Sequence, residues 1–253
     1  MLQQTPVGRV IPYWEDWTRR WPKPSDLAGA SPGEVIQAWG TLGYPRRALR
    51  LRQCAIAIAT EHGDQAPADE TTLRTLPGIG EYTAAAVAAF AYGQRTVVLD
   101  TNIRRVLSRA QHGQALPLPN LTADERSRAA ALVPTDRATS VRWNQATMEL
   151  GAVLCRARGL DCGPCPIKNL CSWARAGYPG DLHADKRKPQ TWRGSNRQLR
   201  GQIMAMLRQA EGETVPIDAL QAAVGDHARF EAVIDELVSD GLARVNEAGV
   251  GLP

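Results

Sequence analysis

The chain has 253 residues, which is enough to bury a sizeable core and to form two or three domains. Its 30 basic and 26 acidic residues give a formal net charge of +4, and most of the basic residues are arginines, which suit bidentate contacts with phosphate. No apolar run approaches the roughly 18 residues of a membrane helix, and no charged-then-apolar leader opens the sequence. We therefore expect a soluble protein of the cytoplasm rather than a membrane or secreted one.

The N-terminal part of the sequence is patterned for helices. Apolar residues recur at helical spacing between positions 7 and 21, which predicts a helix whose tryptophans lie in the core: Trp14, Trp17 and Trp21. The sequence Ser31-Pro32-Gly33-Glu34 combines a capping box with proline at the first helical position, so a second helix begins there. A third helix is predicted from about Arg46 to Glu61.

Tyr44 stands between Gly43 and Pro45, and arginines follow at positions 46, 47, 50 and 52. An aromatic ring on a glycine-containing turn beside basic residues is typical of a wedge that enters stacked bases. The same pattern fits a tyrosine packed on its own turn while the arginines face solvent. Both interpretations remain open on this pattern alone.

Two glycines, Gly78 and Gly80, flank one apolar residue in the sequence Leu-Pro-Gly-Ile-Gly at positions 76–80. Glycines at this spacing let the backbone take positive φ and approach a bulky partner closely. The N–H groups that open the next helix then point outward, where an anion can bind. The pattern predicts a helix–hairpin–helix that holds a nucleic-acid phosphate, although a lone Gly-x-Gly is more often an ordinary tight turn.

Asp100 precedes a predicted amphipathic helix. An alanine-rich helix from Tyr82 to Tyr92 and a short apolar run at positions 96–99 lead to it, and Ile103 and Val106 begin the apolar face of the next helix. Aspartate is a preferred helix N-cap, so capping alone accounts for its position. Further helices are predicted from Ala123 to Leu132 and from about Trp143 to Leu154.

Four of the five cysteines form the spacing C-x6-C-x2-C-x5-C: Cys155, Cys162, Cys165 and Cys171. The fifth, Cys54, lies on an apolar helix face and is expected in the core. Disulfides are disfavoured because no export signal is present. Zinc usually takes two short C-x2-C pairs, whereas four thiolates in one compact loop suit a [4Fe–4S] cluster at least as well. Cluster, zinc and free thiols all remain open on the spacing alone.

Polar and basic residues at positions 179–196 predict a linker. Apolar periodicity resumes at position 197 and predicts three helices, and a short hairpin follows around positions 246–249. Three helices and a hairpin suggest a small winged-helix-like unit, a class that binds DNA in some proteins and only mediates contacts in others.

Taken together, these motifs resemble the helix–hairpin–helix DNA glycosylases that carry an iron–sulfur cluster, and within them the adenine glycosylases that act on A opposite 8-oxoguanine or G. The resemblance covers residues 1 to about 175. The motifs that carry it are Met1-Leu2-Gln3-Gln4-Thr5, Gly43-Tyr44, Leu76-Pro77-Gly78-Ile79-Gly80, Leu99-Asp100-x-Asn102, Asn144-Gln145-Ala146 and the cysteine spacing.

The resemblance implies an all-α fold. It places a helical barrel domain with the helix–hairpin–helix at residues 1–98 and an iron–sulfur cluster domain at residues 99–178. The basic linker at residues 179–196 and the winged-helix-like unit at residues 197–253 follow. Many relatives end instead in a larger nucleoside-hydrolase-like domain that helps to recognise 8-oxoguanine. The resemblance therefore does not by itself imply a preference for 8-oxoguanine over guanine.

The resemblance also implies catalytic roles for three residues. Asp100 resembles the aspartate that stabilises the positive charge on the deoxyribose as the C1′–N9 bond breaks, and Asn102 would orient it. Tyr82 stands where bifunctional relatives of the endonuclease III type carry a Schiff-base lysine. A chain without that amine is expected to remove a base without efficient strand cleavage.

Binding roles follow in the same way. Glu149 resembles the residue that reads the flipped adenine's edge, and Gln4 and Tyr44 resemble residues that fill and wedge the helix at the estranged purine. Two further groups are assigned by the motifs: Gly78, Ile79 and Gly80 to the phosphate, and Cys155, Cys162, Cys165 and Cys171 to a [4Fe–4S] cluster. The expected partner is double-stranded DNA with A/8-oxoguanine or A/G mismatches, bound by a monomer at the nucleoid.

One feature departs from the family pattern. The family's general acid is a glutamate just upstream of the Met-Leu-Gln-Gln-Thr motif, which here occupies residues 1–5. The acid is therefore missing from this sequence, and adenine leaves poorly without protonation at N7. We expect a start codon assigned too late or a truncated chain, and very slow excision by the sequence as it stands.

Two other functions remain open. The first is a related enzyme that takes thymine or uracil from mismatches with G, because such enzymes also carry tyrosine at the position of Tyr82. Glu149 and the Gln3-Gln4-Thr5 motif favour adenine over that reading. The second is a non-catalytic lesion binder that carries the cluster, which the missing acid makes a real alternative.

Overall fold

The computed structural model describes residues 1–3, 5–187, 194–210, 212–225 and 227–253, and these are mostly helical. The helices are α1 Val7–Arg20, α2 Pro24–Gly29, α3 Pro32–Trp39, α4 Arg46–Glu61, α5 Glu70–Thr75, α6 Glu81–Phe90, α7 Thr101–His112, α8 Ala123–Leu132, α9 Arg137–Val153, α10 Ser172–Arg175, α11 Asn196–Gln209, α12 Ile217–Val224 and α13 His227–Ser239. Two strands, β1 Arg244–Asn246 and β2 Gly249–Gly251, form an antiparallel hairpin. The all-α fold class is confirmed, and within the described residues no helix is long and apolar enough to cross a membrane.

The chain forms two compact units. Unit 1 contains residues 1–67, residues 76–78 and the described residues from 194 onward. Unit 2 contains residues 68–75 and 79–187. The domain boundaries expected from the sequence remain a prediction.

The first helices of unit 1 pack around two tryptophans. The rings of Trp17 and Trp39 meet edge to face with centroids 5.6 Å apart. The Trp17 indole N–H donates to the Ala38 carbonyl at 3.0 Å, and the Trp39 indole N–H donates to the Gly43 carbonyl at 2.9 Å. Each buried ring therefore contributes apolar area and also satisfies its polar edge. The core position predicted for Trp17 and the helix that Ser31 is predicted to open are both confirmed.

The prediction for Trp14 is wrong, because its side chain is 57% exposed. Helix α1 carries two neighbouring apolar stripes. The stripe with Val10 and Trp17 is buried, whereas Val7, Ile11 and Trp14 face outward. Residues three and four apart share a helix face, so periodicity finds both stripes without telling which one is packed.

Helix α3 supplies side chains to two separate cores of unit 1. Val35 and Trp39 belong to the cluster with Trp17, whereas Ile36 is fully buried in the cluster of the C-terminal helices. That second cluster is built from these residues: Leu199, Ile203, Leu207, Leu220, Phe230, Val233, Leu237 and Leu252. The three helices and the hairpin predicted after position 197 are present, and they share their core with α3.

Polar contacts join the same parts of unit 1. The Gln37 side-chain amide donates to the Arg208 carbonyl at 2.9 Å. Asp240 accepts from the guanidinium groups of both Arg46 and Arg200, so helices α4 and α11 meet at the carboxylate that directly follows α13. The C-terminal helices are thus held to α3 and α4 by apolar packing and by polar contacts.

Helix α6 of unit 2 packs against its neighbours through small side chains. Alanines form the buried face of α6: Ala84, Ala85, Ala88 and Ala89. The Thr96 hydroxyl donates to the Ala85 carbonyl at 2.8 Å, and the Asn144 side-chain amide donates to the Thr96 carbonyl at 3.1 Å. Alanine side chains are short, so the backbone of α6 lies close to its neighbours. The two hydrogen bonds therefore join the segment before α7 to α6 on one side and to α9 on the other.

Two helix boundaries in unit 2 differ from the sequence prediction. Helix α9 begins at Arg137, six residues before the expected Trp143. Its cap is Asp136, whose carboxylate accepts from the Thr139 N–H at 2.8 Å, a signal that the apolar periodicity does not include. Helix α6 spans Glu81–Phe90 rather than Tyr82–Tyr92.

We predict that Leu237→Ala destabilises the protein by about 2–5 kcal/mol, because the Leu237 side chain is fully buried and its removal leaves a cavity. The neighbouring substitution Val238→Ala removes a side chain that is 41% exposed and is expected to cost less than about 1 kcal/mol. Urea titrations of the two variants measure the difference. Equal midpoints for both would contradict the core assignment.

Candidate active site

Asp100 is the N-cap of α7, as its position predicts. Its Oδ1 accepts from the Ile103 N–H at 2.6 Å, and its Oδ2 accepts from the Asn102 side-chain amide at 2.8 Å. The helix N-terminus also favours a negative charge at this position. A carboxylate has about four acceptor positions, so two hydrogen bonds leave room for another partner. Capping and catalysis are therefore compatible roles for this residue.

A chain of side chains runs from Asp100 to the cysteine loop. Asn102 donates to Asp100 and accepts from the Arg105 guanidinium at 2.8 Å. Arg105 also donates to the Gly151 carbonyl and to the Cys155 carbonyl, each at 2.7 Å. Because each of these groups is fixed by its neighbour, the orientation of the carboxylate depends on α9 and on the first cysteine of the loop.

Gly151 permits this arrangement by close packing. A Cβ atom at Gly151 would lie 2.8 Å from both the Cβ and the carbonyl oxygen of Asn102. Real Cβ atoms do not approach other atoms so closely, so helices α7 and α9 can meet here only if this residue has no side chain.

Tyr82 lies in the first turn of α6, where its ring is partly exposed. Burial raises the pKa of its phenol above the ordinary value, and the negative charge of Asp100 adds to that shift. The phenol is therefore neutral at physiological pH. The structure thus brings Tyr82, Asp100 and Asn102 together, as the resemblance implies.

The Gly-x-Gly turn connects α5 and α6, and its glycines have different reasons to be glycine. Gly78 has φ of +78°, and a Cβ there would lie 2.9 Å from the Cβ of Arg50. Gly80 is the N-cap of α6 and has no atom within 4 Å of the position of its missing Cβ. The fold itself therefore requires Gly78, whereas the open space at Gly80 leaves the first N–H groups of α6 approachable.

A carboxylate stands beside those N–H groups. Glu81, the first residue of α6, forms a two-point ion pair with Arg126, with N–O distances of 2.6 and 2.7 Å. The hydrogen bond to Glu81 raises the pKa of Arg126 above its ordinary value. It also offsets the negative charge that would otherwise oppose an anion at the start of α6.

Tyr44 projects from unit 1. Gly43 and Tyr44 both have positive φ, +79° and +50°, which turns the tyrosine ring outward and leaves the residue 46% exposed. Arg47 and Arg197 place their guanidinium carbons 5.3 and 4.6 Å from the ring centroid. The exposed ring and its two arginine neighbours fit both interpretations of the sequence, so the wedge role of Tyr44 stays a prediction.

Glu149 and Gln4 complete the set of predicted base-reading residues. Glu149 is exposed on α9, two positions before Gly151. Gln4 lies outside the described residues.

The four clustered cysteines line one cavity in unit 2, together with apolar residues such as Val106, Leu150 and Ile167. All four are free thiols. Among the described residues, no group of three or more His, Cys, Asp or Glu side chains is arranged to hold a single metal ion. Cys54 is buried on α4, as predicted.

Buried arginine and aromatic side chains support the cavity. Arg109 donates to the Cys155 Sγ at 3.3 Å and to the Arg156 carbonyl at 2.9 Å, and its guanidinium lies 4.5 Å from the Trp173 ring. The Tyr178 hydroxyl hydrogen-bonds the Cys162 thiol. Two sulfurs thus have hydrogen-bond donors of different charge, a cation on one and a neutral phenol on the other.

Sequence reasoning missed Arg105 and Arg109. Both are buried polar residues on α7, four positions apart, at the spacing of one helix face. They lie on a different face of α7 from the apolar stripe of Ile103 and Val106, so the apolar periodicity gave no signal that they would be buried.

Comparison with known proteins identifies the family. The description that matches residues 1–130 is the HhH-GPD superfamily of base excision DNA repair proteins. The chain belongs to this superfamily. It is 47% identical over 252 residues to an adenine DNA glycosylase of Mycolicibacterium smegmatis, a match that covers 98% of this chain and 83% of that protein. The adenine DNA glycosylase of Mycobacterium tuberculosis H37Rv is 46% identical, with 96% of this chain and 79% of that protein covered.

Solved structures agree with the HhH-GPD assignment. A thermostable thymine-DNA glycosylase superposes with a TM-score of 0.60 at 25% identity and covers 69% of this chain and 80% of its own. A non-covalent endonuclease III–DNA complex superposes with a TM-score of 0.61 at 19% identity, covering 70% and 80%. This HhH-GPD protein is therefore a DNA glycosylase with the fold of endonuclease III.

We predict that Gly151→Ala slows base release by this HhH-GPD glycosylase by about tenfold or more. The new methyl group displaces Asn102, and displacements near 1 Å at a reacting group cost up to about a hundredfold in rate. Single-turnover rates and urea midpoints measure the effect. Gly201→Ala on α11 meets no atom within 4 Å and is the control, with an unchanged rate. If Gly151→Ala lowered stability without altering the rate, Asn102 would not position Asp100.

Proposed function

We propose that this DNA glycosylase excises adenine that is mispaired with 8-oxoguanine or guanine, without cutting the strand. The observation that carries the proposal is the doubly hydrogen-bonded carboxylate of Asp100 in a chain 47% identical to an adenine DNA glycosylase. The work would be done by a monomer on nucleoid DNA in the cytoplasm.

The reaction is hydrolysis at C1′ of the nucleotide after its base has been flipped out of the duplex. The C1′–N9 bond breaks and its electron pair leaves with adenine, so the deoxyribose becomes cationic. The Asp100 carboxylate, held by its two hydrogen bonds, stabilises that cation. Water then forms the new C1′–O bond, and the proton that this water loses ends on the departing adenine. Asn102 and Arg105 hold the carboxylate in place.

Tyr82 supports release of the base alone. Strand cleavage by a related route needs an amine that attacks C1′ and forms a Schiff base. The neutral phenol of Tyr82 beside Asp100 offers no such amine. Water therefore attacks C1′ of the sugar, and the product is an abasic site in an intact strand.

DNA contacts are proposed at three places. The N–H groups that open α6 after Gly80 bind a phosphate, with Gly78 and Ile79 shaping the turn. Glu149 reads the edge of the flipped adenine. Tyr44, together with Gln4, wedges the duplex at the estranged purine, where the exposed ring is suited to stacking.

We propose that Cys155, Cys162, Cys165 and Cys171 bind a [4Fe–4S] cluster. The donor set fits, because four thiols line one cavity and their spacing within one compact loop suits a cluster. When bound, the cluster would cross-link the loop from Cys155 to Cys171. Arg109 and Tyr178 would donate hydrogen bonds to two of its thiolate ligands.

A thymine- or uracil-specific activity on mismatches with G is the second candidate, because a thymine-DNA glycosylase has the same fold at 25% identity. Adenine is favoured since the relatives named for it are 46% and 47% identical over nearly the whole chain. A lesion binder without catalysis is the third candidate and would release neither base.

We predict that the protein releases adenine from A/8-oxoguanine and A/G duplexes, leaves T/G duplexes unchanged and does not nick the strand. Asp100→Asn is expected to lower the release rate about 100- to 1000-fold, because it removes the charge that opposes the sugar cation. Asparagine still caps the helix, so the fold and duplex binding are retained.

The matched control is Asp136→Asn, the same change at the cap of α9, which should leave the rate unaltered. Release rates are measured by strand scission with alkali after single-turnover incubation. Thymine release would replace the proposal with the second candidate. If Asp100→Asn released adenine at the wild-type rate, Asp100 would not stabilise the sugar cation and the proposed mechanism would be wrong.

We predict that the purified protein contains about four iron and four sulfide per chain. Cys165→Ser is expected to lower the iron content and the visible charge-transfer absorption, because it removes one ligand. Cys54→Ala, at the cysteine buried outside the cavity, should keep both at wild-type levels. Iron and sulfide analysis provides the measurement, and stoichiometric zinc without sulfide would show that the cluster assignment is wrong.

A further inference from the structure

The backbone around Tyr44 fixes where its ring can go. A non-glycine residue with positive φ is strained, and Tyr44 at +50° directly follows Gly43 at +79°. Pro45 comes next and precedes α4, so the turn has little freedom on either side. The ring therefore stands on a short rigid turn, and its orientation depends on what lies against it.

One of its neighbours, Arg47, is itself immobilised. Its guanidinium lies 5.5 Å from the Trp39 ring as well as 5.3 Å from the Tyr44 ring. It donates to the Gln3 carbonyl, and at 3.2 Å to the Gly43 carbonyl. Arg47 is thus part of the N-terminal half of unit 1 and belongs to the same turn as the tyrosine.

The other neighbour comes from the opposite end of the sequence. Arg197 lies in the first turn of α11, which is capped by Ser195, and its guanidinium is 4.6 Å from the Tyr44 ring centroid. Helix α11 is fixed relative to α3 because Leu199 and Ile203 share a core with Ile36. The contact is therefore set by packing inside one unit.

A guanidinium over an aromatic face is attracted by the ring quadrupole, and the attraction grows when water is excluded. DNA would exclude water from the Tyr44 ring when the ring enters the duplex. The negative charge of the DNA would also offset the repulsion between the guanidinium groups of Arg47 and Arg197. The Arg197 contact is thus expected to strengthen when the wedge is engaged.

We propose that Arg197 is a positioning residue for the Tyr44 wedge, which makes the C-terminal helices of unit 1 part of the recognition of the estranged purine. This inference rests on the proposed wedge role of Tyr44. Arg197 acts through the ring: it holds the tyrosine in the orientation that enters the base stack, and it need not touch the purine.

The test is a double-mutant cycle with Tyr44→Ala and Arg197→Ala. Binding is measured on duplexes that carry a non-hydrolysable adenine analogue opposite 8-oxoguanine, with 2-aminopurine beside the 8-oxoguanine to report unstacking. Arg197→Ala is expected to weaken binding about threefold to tenfold and to reduce the rise in 2-aminopurine fluorescence. In the Tyr44→Ala background the same change should have no further effect. Arg197→Lys should restore part of the loss.

Arg19→Ala is the charge-matched control in the same unit, since Arg19 is highly exposed and pairs only weakly with Asp16 across 3.8 Å. It should leave both signals unchanged. If Arg197→Ala weakened binding equally with and without Tyr44, and lowered the salt dependence by about one phosphate contact, the residue would bind the DNA backbone and the inference would be overturned. If Tyr44→Ala itself changed nothing, the wedge role would fail as well, so the two failures are distinguishable.

Discussion

The Asp100 carboxylate, held by the Ile103 N–H and the Asn102 amide at the start of α7, is the contact around which unit 2 is organised. The same side chain caps a helix and, in the proposed function, stabilises the positive charge that develops on the sugar. Its two hydrogen bonds supply part of the solvation that water would otherwise give. Because Asn102 is tied through Arg105 to the carbonyls of Gly151 and Cys155, the carboxylate cannot turn independently of the protein around it.

This arrangement gives the cysteine loop a structural connection to the site. Arg105 contacts the backbone of Cys155, and Arg109, one turn later on α7, contacts its sulfur. Both arginines are buried, and each satisfies several carbonyls that would otherwise lack partners. In the proposed function, a cluster bound by the four thiols would therefore help to hold the residues that orient Asp100.

Much of this could be predicted from local sequence signals. The cap at Asp100, the bounds of α4 and α8 and the hairpin near the C-terminus follow from propensities that act within a few residues. The exposure of Trp14 could not be predicted, because it depends on which of two adjacent stripes on α1 finds a partner.

Contacts between segments that are distant in the sequence could not be predicted either. The approach of Arg197 to Tyr44 joins residues 153 positions apart, since 197 − 44 = 153, and depends on how α11 packs with Ile36. The link from Arg105 to Cys155 likewise depends on the crossing of α7 and α9, which only the close packing at Gly151 makes possible. Neither pairing leaves a pattern that spacing within one segment can reveal.

The alanine face of α6 has a mechanical consequence. Because the buried side chains are short, the helix backbone packs close to its neighbours. The hydrogen bonds from Thr96 and Asn144 join these segments directly. The end of α6 that would grip a phosphate and the segment that leads to Asp100 are thus parts of one stiff frame. In the proposed function, a displacement of the phosphate bound near Gly80 would therefore be transmitted through this frame to the nucleotide beside Asp100.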